Sequence, residues 1–225
     1  MDQEGKAIFM TKSEYIYKEL KKSIVTGKLR PNEKLRLSRV AEQFNASEAP
    51  VREAMKKLEM EKLVKSIPYV GVVVRELQQS EVQELFAIRA ALEGLAIVAA
   101  TESITEDDIN SLVDIVNEMK KAIEANDVEA FGEYDKSFHL ALAKLSNNKR
   151  LYNMIEGIWN ETEQARAIFL ISPEIMEQSV IDHEGLLEAL KNKNSSEAEA
   201  IAKNHRLKAA KKIMKHLAHD NSKDN

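Results

Sequence analysis

The sequence predicts a mainly α chain in two parts: three helices closed by a β-hairpin, then a bundle of six further helices. Three observations carry that prediction. Apolar residues recur at three-and-four spacing through most of the 225 residues. Ser, Thr or Asp stands at the head of nearly every such stretch, where a side-chain oxygen can accept an unpaired N–H of the first turn. The period changes from helical to extended in one place, across "LVKSI" and "GVVVREL", which flank "PYVG" and read as two short strands around a turn.

The elements follow in order. Thr11 with Glu14 opens a helix carrying Tyr15, Ile16, Leu20 and Ile24, and Gly27 followed by Pro31 ends it. Ser38 is expected to cap a short second helix, "RVAEQF". Ser47 caps a third, with Pro50 inside the first turn, where a missing N–H costs nothing. Its apolar positions are Val51, Ala54, Met55, Leu58 and Leu63. Three helices and a hairpin within residues 1–76 make a winged helix-turn-helix, followed by a linker at 77–79 and an all-α domain over 80–225. In that second part Ser80 with Gln83, Thr105 with Asp108, Asp127, Ser172 with Pro173, and Ser196 with Glu199 mark helix starts. The fourth of its six helices is read as one run, "NKRLYNMIEGIWNETEQARAIFL".

Composition narrows the function. There is no cysteine, which removes disulfides, thiolate metal sites and a cysteine nucleophile, and suits a reducing cytoplasm. No apolar run approaches the roughly 18 residues of a membrane helix, and the start of the chain is not a secretory leader, so a cytoplasmic protein is expected. Net charge is −4, unevenly divided: residues 1–76 hold 16 Lys and Arg against 11 Asp and Glu, and the remainder holds 17 against 26. A basic first part beside an acidic second one suggests a polyanion as partner of the first.

The third helix supports DNA as that polyanion. Ser47, Arg52, Lys56 and Lys57 occupy its first turns and outward side, where a recognition helix presents groups to bases and phosphates. The hairpin tip, Tyr69 to Gly71, can reach a flanking groove. The segment "GKLRPNEKLRLSRVAEQFNASEAPVREAMKKLEMEKLVKSIPYVGVVV" resembles the N-terminal domain of GntR-family transcription regulators. The resemblance implies groove contacts by Ser47, Pro50, Val51 and Arg52, with Arg39 of the second helix beside them. The sequence departs from the pattern at Glu48, where an arginine is usual, at Ser38, often Arg or Glu, and at Lys62, usually Gly.

The stretch "EYDKSFHLALA" raises a different question, because Asp135 and His139 fall on the inward face with Phe131, Phe138 and Leu142. His183 lies in line with Met176, Val180, Leu187 and Leu190, and His205 with Ile201 and Ala209. Taken alone, Asp135 and His139 read as a mutually satisfied core pair; with His183 and His205 a metal site becomes the competing reading, and spacing leaves the two open. Residues 80–217 resemble the FCD ligand-binding domain of the FadR subfamily, in its VanR-like six-helix branch, through "AIRAALEG", "YDKSFH", "DHEGLLEAL" and "KNHRLKAA". That resemblance implies Asp135, His139, His183 and His205 as ligands of a divalent transition metal, zinc first and nickel or manganese next, and Arg89 as an effector contact. The expected protein is a homodimeric transcription regulator that binds operator DNA under control of a small organic acid. The alternative is a metal-dependent enzyme, with Glu93 or Glu184 as its base. His216 and His219 read as solvated tail residues.

Overall fold

The structure, a computed structural model, describes residues 10–76, 78–162, 165 and 173–220, apart from the side chains of 216 and 218–220. Ser172 and the side chains of His216 and His219 lie outside the described residues. The chain divides into two compact units, 1–76 and 77–225.

In the first unit, α1 (Lys12–Val25) starts where Thr11 Oγ1 accepts the Glu14 N–H at 3.2 Å, and it buries Ile16, Leu20 and Ile24. Gly27, at φ +73°, takes the left-handed turn that ends it. The second helix, α2, covers Leu37–Gln43 with Arg36 as its N-cap, so Ser38 is not the cap that the sequence suggests. The Arg36 carbonyl already accepts the Val40 N–H at 3.0 Å, which starts the ladder earlier and leaves Ser38 exposed inside the first turn. Helix α3 (Glu48–Met60) begins at Ser47 as expected, although the Ser47 side chain makes no cap bond. It buries Val51, Ala54, Met55 and Leu58 and leaves 48, 52 and 56 outside.

Strands β2 (Val64–Ile67) and β3 (Gly71–Val74) pair antiparallel, Val64 opposite Val74 and Ile67 opposite Gly71. A third strand, β1 (Lys34–Leu35), pairs with the free edge of β3 and was not foreseen, since two residues are too short to show an alternation. The chain reverses after α3 through Lys62 at φ +57°, a conformation that favours glycine.

In the second unit, α4 (Gln79–Ser103) begins before the expected Ser80 cap, because the Gln78 N–H donates to the Glu81 carboxylate at 3.3 Å; the expected link at 77–79 is correspondingly shorter. Thr105 and Asp108 form the predicted capping box of α5 (Glu106–Glu124), and Asp127 accepts the Ala130 N–H at the start of α6 (Val128–Leu145). Helix α7 (Lys149–Glu161) ends at a Thr162 C-cap, short of the predicted run. Residues 163, 164 and 166–172 of that run lie outside the described residues. Helix α8 spans Pro173–Lys191 and α9 spans Ser195–Asp220. The cap of α9 is Asn194 rather than Ser196: it accepts the Glu197 N–H at 3.2 Å and donates to the Glu197 carboxylate at 2.8 Å.

Helix α9 packs along α4, α6 packs against α4, α5 and α7, and α8 lies against α5 and α9. At Gly94 a Cβ would stand 3.0 Å from Lys203 Cε and 3.2 Å from Glu199 Cγ, side chains of α9 that would have to give way. The core is built from Ile97, Leu112, Val116, Phe131, Phe138, Leu142, Leu186 and Leu190. None of the described helices is long and apolar enough to cross a membrane.

The left-handed backbone at Lys62 generates a prediction. Lys62→Gly is expected to raise the stability of the first unit by about 1 kcal/mol, read as a higher urea midpoint. Lys62→Ala should bring no gain, and equal behaviour of the two variants would remove the strain argument.

Candidate metal centre and operator-reading face

Helices α6, α8 and α9 bring one carboxylate and three imidazoles together inside the second unit. Asp135 and His139 are one turn apart on α6, His183 comes from α8, and His205 from α9. All four are buried, and each offers a ligand atom within 4.8 Å of the others. His139 Nε2 and His183 Nε2 are 2.9 Å apart, and Asp135 Oδ1 lies 3.8 Å from the first and 3.6 Å from the second. Ser179 donates to the same Asp135 oxygen at 3.5 Å.

The outer nitrogens show which way the rings face. His205 Nδ1 donates to Asp182 Oδ2 at 3.0 Å, and His139 Nδ1 lies 3.4 Å from Glu93 Oε2. An ionised carboxylate only accepts, so a proton on the outer nitrogen leaves the Nε2 lone pair facing the cluster. His183 Nδ1 is buried with no hydrogen-bond partner among the described residues.

Burial and the neighbouring cations keep the rings neutral. Burial, with His205 adding, pushes His183 down to about 3. Burial and then Arg206 hold His139 well below the usual imidazole range, and burial lowers His205 as well. Three neutral imidazoles and one carboxylate are a donor set that suits a divalent transition ion. The facing Nε2 atoms of His139 and His183, with the Asp135 carboxylate beside them, fit the same use.

A second set of charges adjoins this one. Glu93 of α4 accepts Arg89 Nε at 3.1 Å, Arg206 Nε at 2.7 Å and the Trp159 indole N–H at 3.0 Å. Arg89 also donates to Thr162 Oγ1 at 3.0 Å, and its guanidinium lies 3.8 Å from the centre of the Trp159 ring. Burial raises the Glu93 carboxyl, but Arg206 and Arg89 outweigh it and hold the group below its ordinary value. Arg89 is therefore both the ion-pair partner of Glu93 and a neighbour of the cluster. Sequence reasoning missed Arg206, Trp159, Thr162 and Asp182. The adjacency of Arg206 to His205 and the inward spacing of Trp159 from Ile155 were the available signals.

In the first unit, Ser47, Glu48, Arg52 and Lys56 are exposed along α3, Ser38 and Arg39 are exposed on α2, and Pro50 is half-buried. Val51 is fully buried in the core, away from any groove contact. Arg52 Nη2 donates to Glu48 at 3.5 Å, so the acid at the unusual position faces its neighbour on the same stripe. Lys57 turns to the Tyr17 ring, 5.6 Å from its centre. Tyr69, at φ +64°, stands fully exposed at the hairpin tip, with Gly71 two residues on.

Comparison with known proteins agrees with this division. Residues 12–74 match the model of the bacterial regulatory proteins of the gntR family, and residues 84–208 match the FCD domain. The chain is 33% identical to the HTH-type transcriptional regulator LutR of Bacillus subtilis, over 81% of this chain and 92% of that one. It is 28% identical to the regulator McbR of Escherichia coli, over 86% and 89% of the two chains. The solved structure of E. coli McbR/YncC superposes over 96% of this chain and 100% of its own, with a TM-score of 0.69 and 26% identity. The gluconate operon transcriptional repressor of Bacillus licheniformis is 25% identical, over 78% of this chain and 74% of that one.

These relatives regulate transcription and are not enzymes, which overturns the alternative of a metal-dependent enzyme. Neither acid offered as its base is free. Glu93 is engaged by two guanidinium groups, and Glu184 pairs with Lys120 at 2.6 Å on the surface.

Removing the carboxylate between the two arginines tests this account of the interior. Glu93→Ala should destabilise the second unit by about 3–5 kcal/mol, read by chemical denaturation, because two buried cations lose their shared partner. Glu93→Gln should cost less. A change within about 0.5 kcal/mol for Glu93→Ala would show that the arginines find other partners.

Proposed function

We propose, for a chain that belongs to the gntR family of bacterial regulatory proteins and carries an FCD domain, a transcription regulator whose operator binding is set by a small carboxylate held at a metal in its helical bundle. The observation that carries this reading is the buried convergence of Asp135, His139, His183 and His205. A divalent ion bound there would keep net positive charge after one carboxylate and three neutral rings, and so supply a Lewis acid for carboxylate oxygens. Zinc is the first candidate, with nickel or manganese next, since availability as much as ligand type decides among them.

The chain's own residues do the rest. Asp182 fixes the His205 tautomer and Glu93 turns His139 inward, so the donors are set before an ion arrives. Arg89, held by Glu93 and Thr162, offers a charge-assisted contact to an acid placed near the rings. The gluconate operon in the name of one relative is consistent with an acid of this kind. Regulation then needs only that the acid bind two domain arrangements with different affinity.

At the other end, Arg52 contacts base edges or phosphate from the outward stripe of α3, with Ser47, Pro50 and Lys56 beside it and Ser38 and Arg39 on α2. Tyr69 and Gly71 reach the adjacent groove. Glu48 accepts from Arg52 or from a cytosine amino group, which sets this operator apart from those read through an arginine. We place the protein in the cytoplasm as a homodimer, because two recognition helices match a palindromic site. Ile88 and Leu95, seven residues apart on α4 and both exposed, give the bundle an apolar stripe for such pairing.

Two experiments test the proposal. Purified protein should carry close to one divalent ion per chain by elemental analysis, lost in His183→Ala; absence of metal after incubation with zinc, nickel and manganese would reject the site. On DNA from the protein's own upstream region, Arg52→Ala should weaken specific binding by roughly 1–3 kcal/mol while the domain stays folded, in gel-shift titrations at fixed salt. Undiminished affinity would move the reading face off α3.

A further inference from the structure

Arg206 is 3% exposed, yet its Nη2 has no hydrogen-bond partner among the described residues. Its Nε is committed to Glu93 Oε2 at 2.7 Å, and its guanidinium carbon sits 5.0 Å from the centre of the buried Trp159 ring. The same Glu93 oxygen is 3.4 Å from His139 Nδ1, so one carboxylate oxygen links Arg206 to the outer nitrogen of a ring whose Nε2 faces the cluster. A buried guanidinium donor left unmade is costly.

The balance of charge says what would complete it. The interior holds two guanidinium groups, Arg89 and Arg206, and two carboxylates, Glu93 and Asp135. Asp182, at the edge, is offset by Lys208 at 3.6 Å. Without an ion the interior is neutral; a divalent ion leaves it with two positive charges, far from water. An effector with one acidic group would still leave a buried positive charge uncompensated, which low-dielectric surroundings penalise.

We propose that Arg206 forms a second anion subsite beside the metal centre, and that the effector is a compact acid with two anionic groups, one for the ion and one for Arg206. The proposal rests on the reading of Asp135 and the three histidines as a metal site. The planar guanidinium presents its free edge to a carboxylate or phosphate in a way that lysine cannot reproduce, so Arg206 sets specificity for dianions rather than binding strength in general.

Trp159 supplies the readout, being the one tryptophan in the sequence and 5.4 Å from the His139 ring. The full-length protein, metal-loaded and checked by elemental analysis, is titrated by tryptophan fluorescence and calorimetry with acids paired to differ by one anionic group: lactate and malate, propionate and succinate, glycerate and 3-phosphoglycerate. In the parent, the dianion of at least one pair should bind about tenfold or more tighter than its partner. In Arg206→Lys, and in Arg206→Gln where it folds, that advantage should shrink to about threefold or less when the proteins are compared at equal metal loading. Arg206→Lys keeps a cation beside Glu93, and its thermal melt reports folding. Dianion preference that survives Arg206→Lys, or no dianion preference in the loaded parent, overturns the subsite alone. A parent that holds no metal, or a loaded parent that binds none of the six acids, overturns the subsite together with the reading beneath it.

Discussion

The bundle interior depends on one carboxylate. Glu93 lies on α4, which packs along α9, and it is the common partner of Arg89, Arg206 and the Trp159 indole. Remove its charge and two guanidinium groups are left facing each other in a low-dielectric interior, where their repulsion is poorly screened. At the next residue, Gly94, a side chain would crowd Lys203 and Glu199 of α9. Helix packing and charge pairing are therefore one constraint, expressed at adjacent residues of α4.

The same carboxylate links that packing to the histidine cluster. Its second oxygen faces His139, so the orientation of a candidate ligand is tied to the pairing of α4 with α9. Asp182 does the corresponding work for His205 from the neighbouring helix. Glu93 and Asp182 thus serve as struts: they keep two imidazoles pointing at one place before anything is bound. Preorganisation of this kind lowers the entropic cost of assembling a site from three helices.

Much of this was legible in the sequence. The inward aspartate and histidines declared themselves by interrupting apolar stripes, and Phe131, Phe138 and Leu142 fixed which face they were on. Thr105, Asp127 and Ser47 marked their helices because a cap is a local signal, carried by one residue and the next turn. Ser38, Ser80 and Ser196 failed for the same local reason: in each case the ladder began earlier, on Arg36, Gln78 and Asn194, and a serine inside the first turn looks the same in sequence as one at its head. Strand β1 was too short to carry a period. Arg206 was hidden because a helical arginine is usually solvated, and only the α4–α9 contact buries it.

The two faces of α3 have a further consequence. Val51, Ala54, Met55 and Leu58 are spoken for by the core, while Ser47, Glu48, Arg52 and Lys56 touch nothing that the fold requires. The exposed stripe can therefore change while stability stays nearly constant, since exposed substitutions seldom cost much. Duplicated copies of a gene for this chain can diverge along this stripe through a few exposed codons while the buried face of the helix stays unaltered.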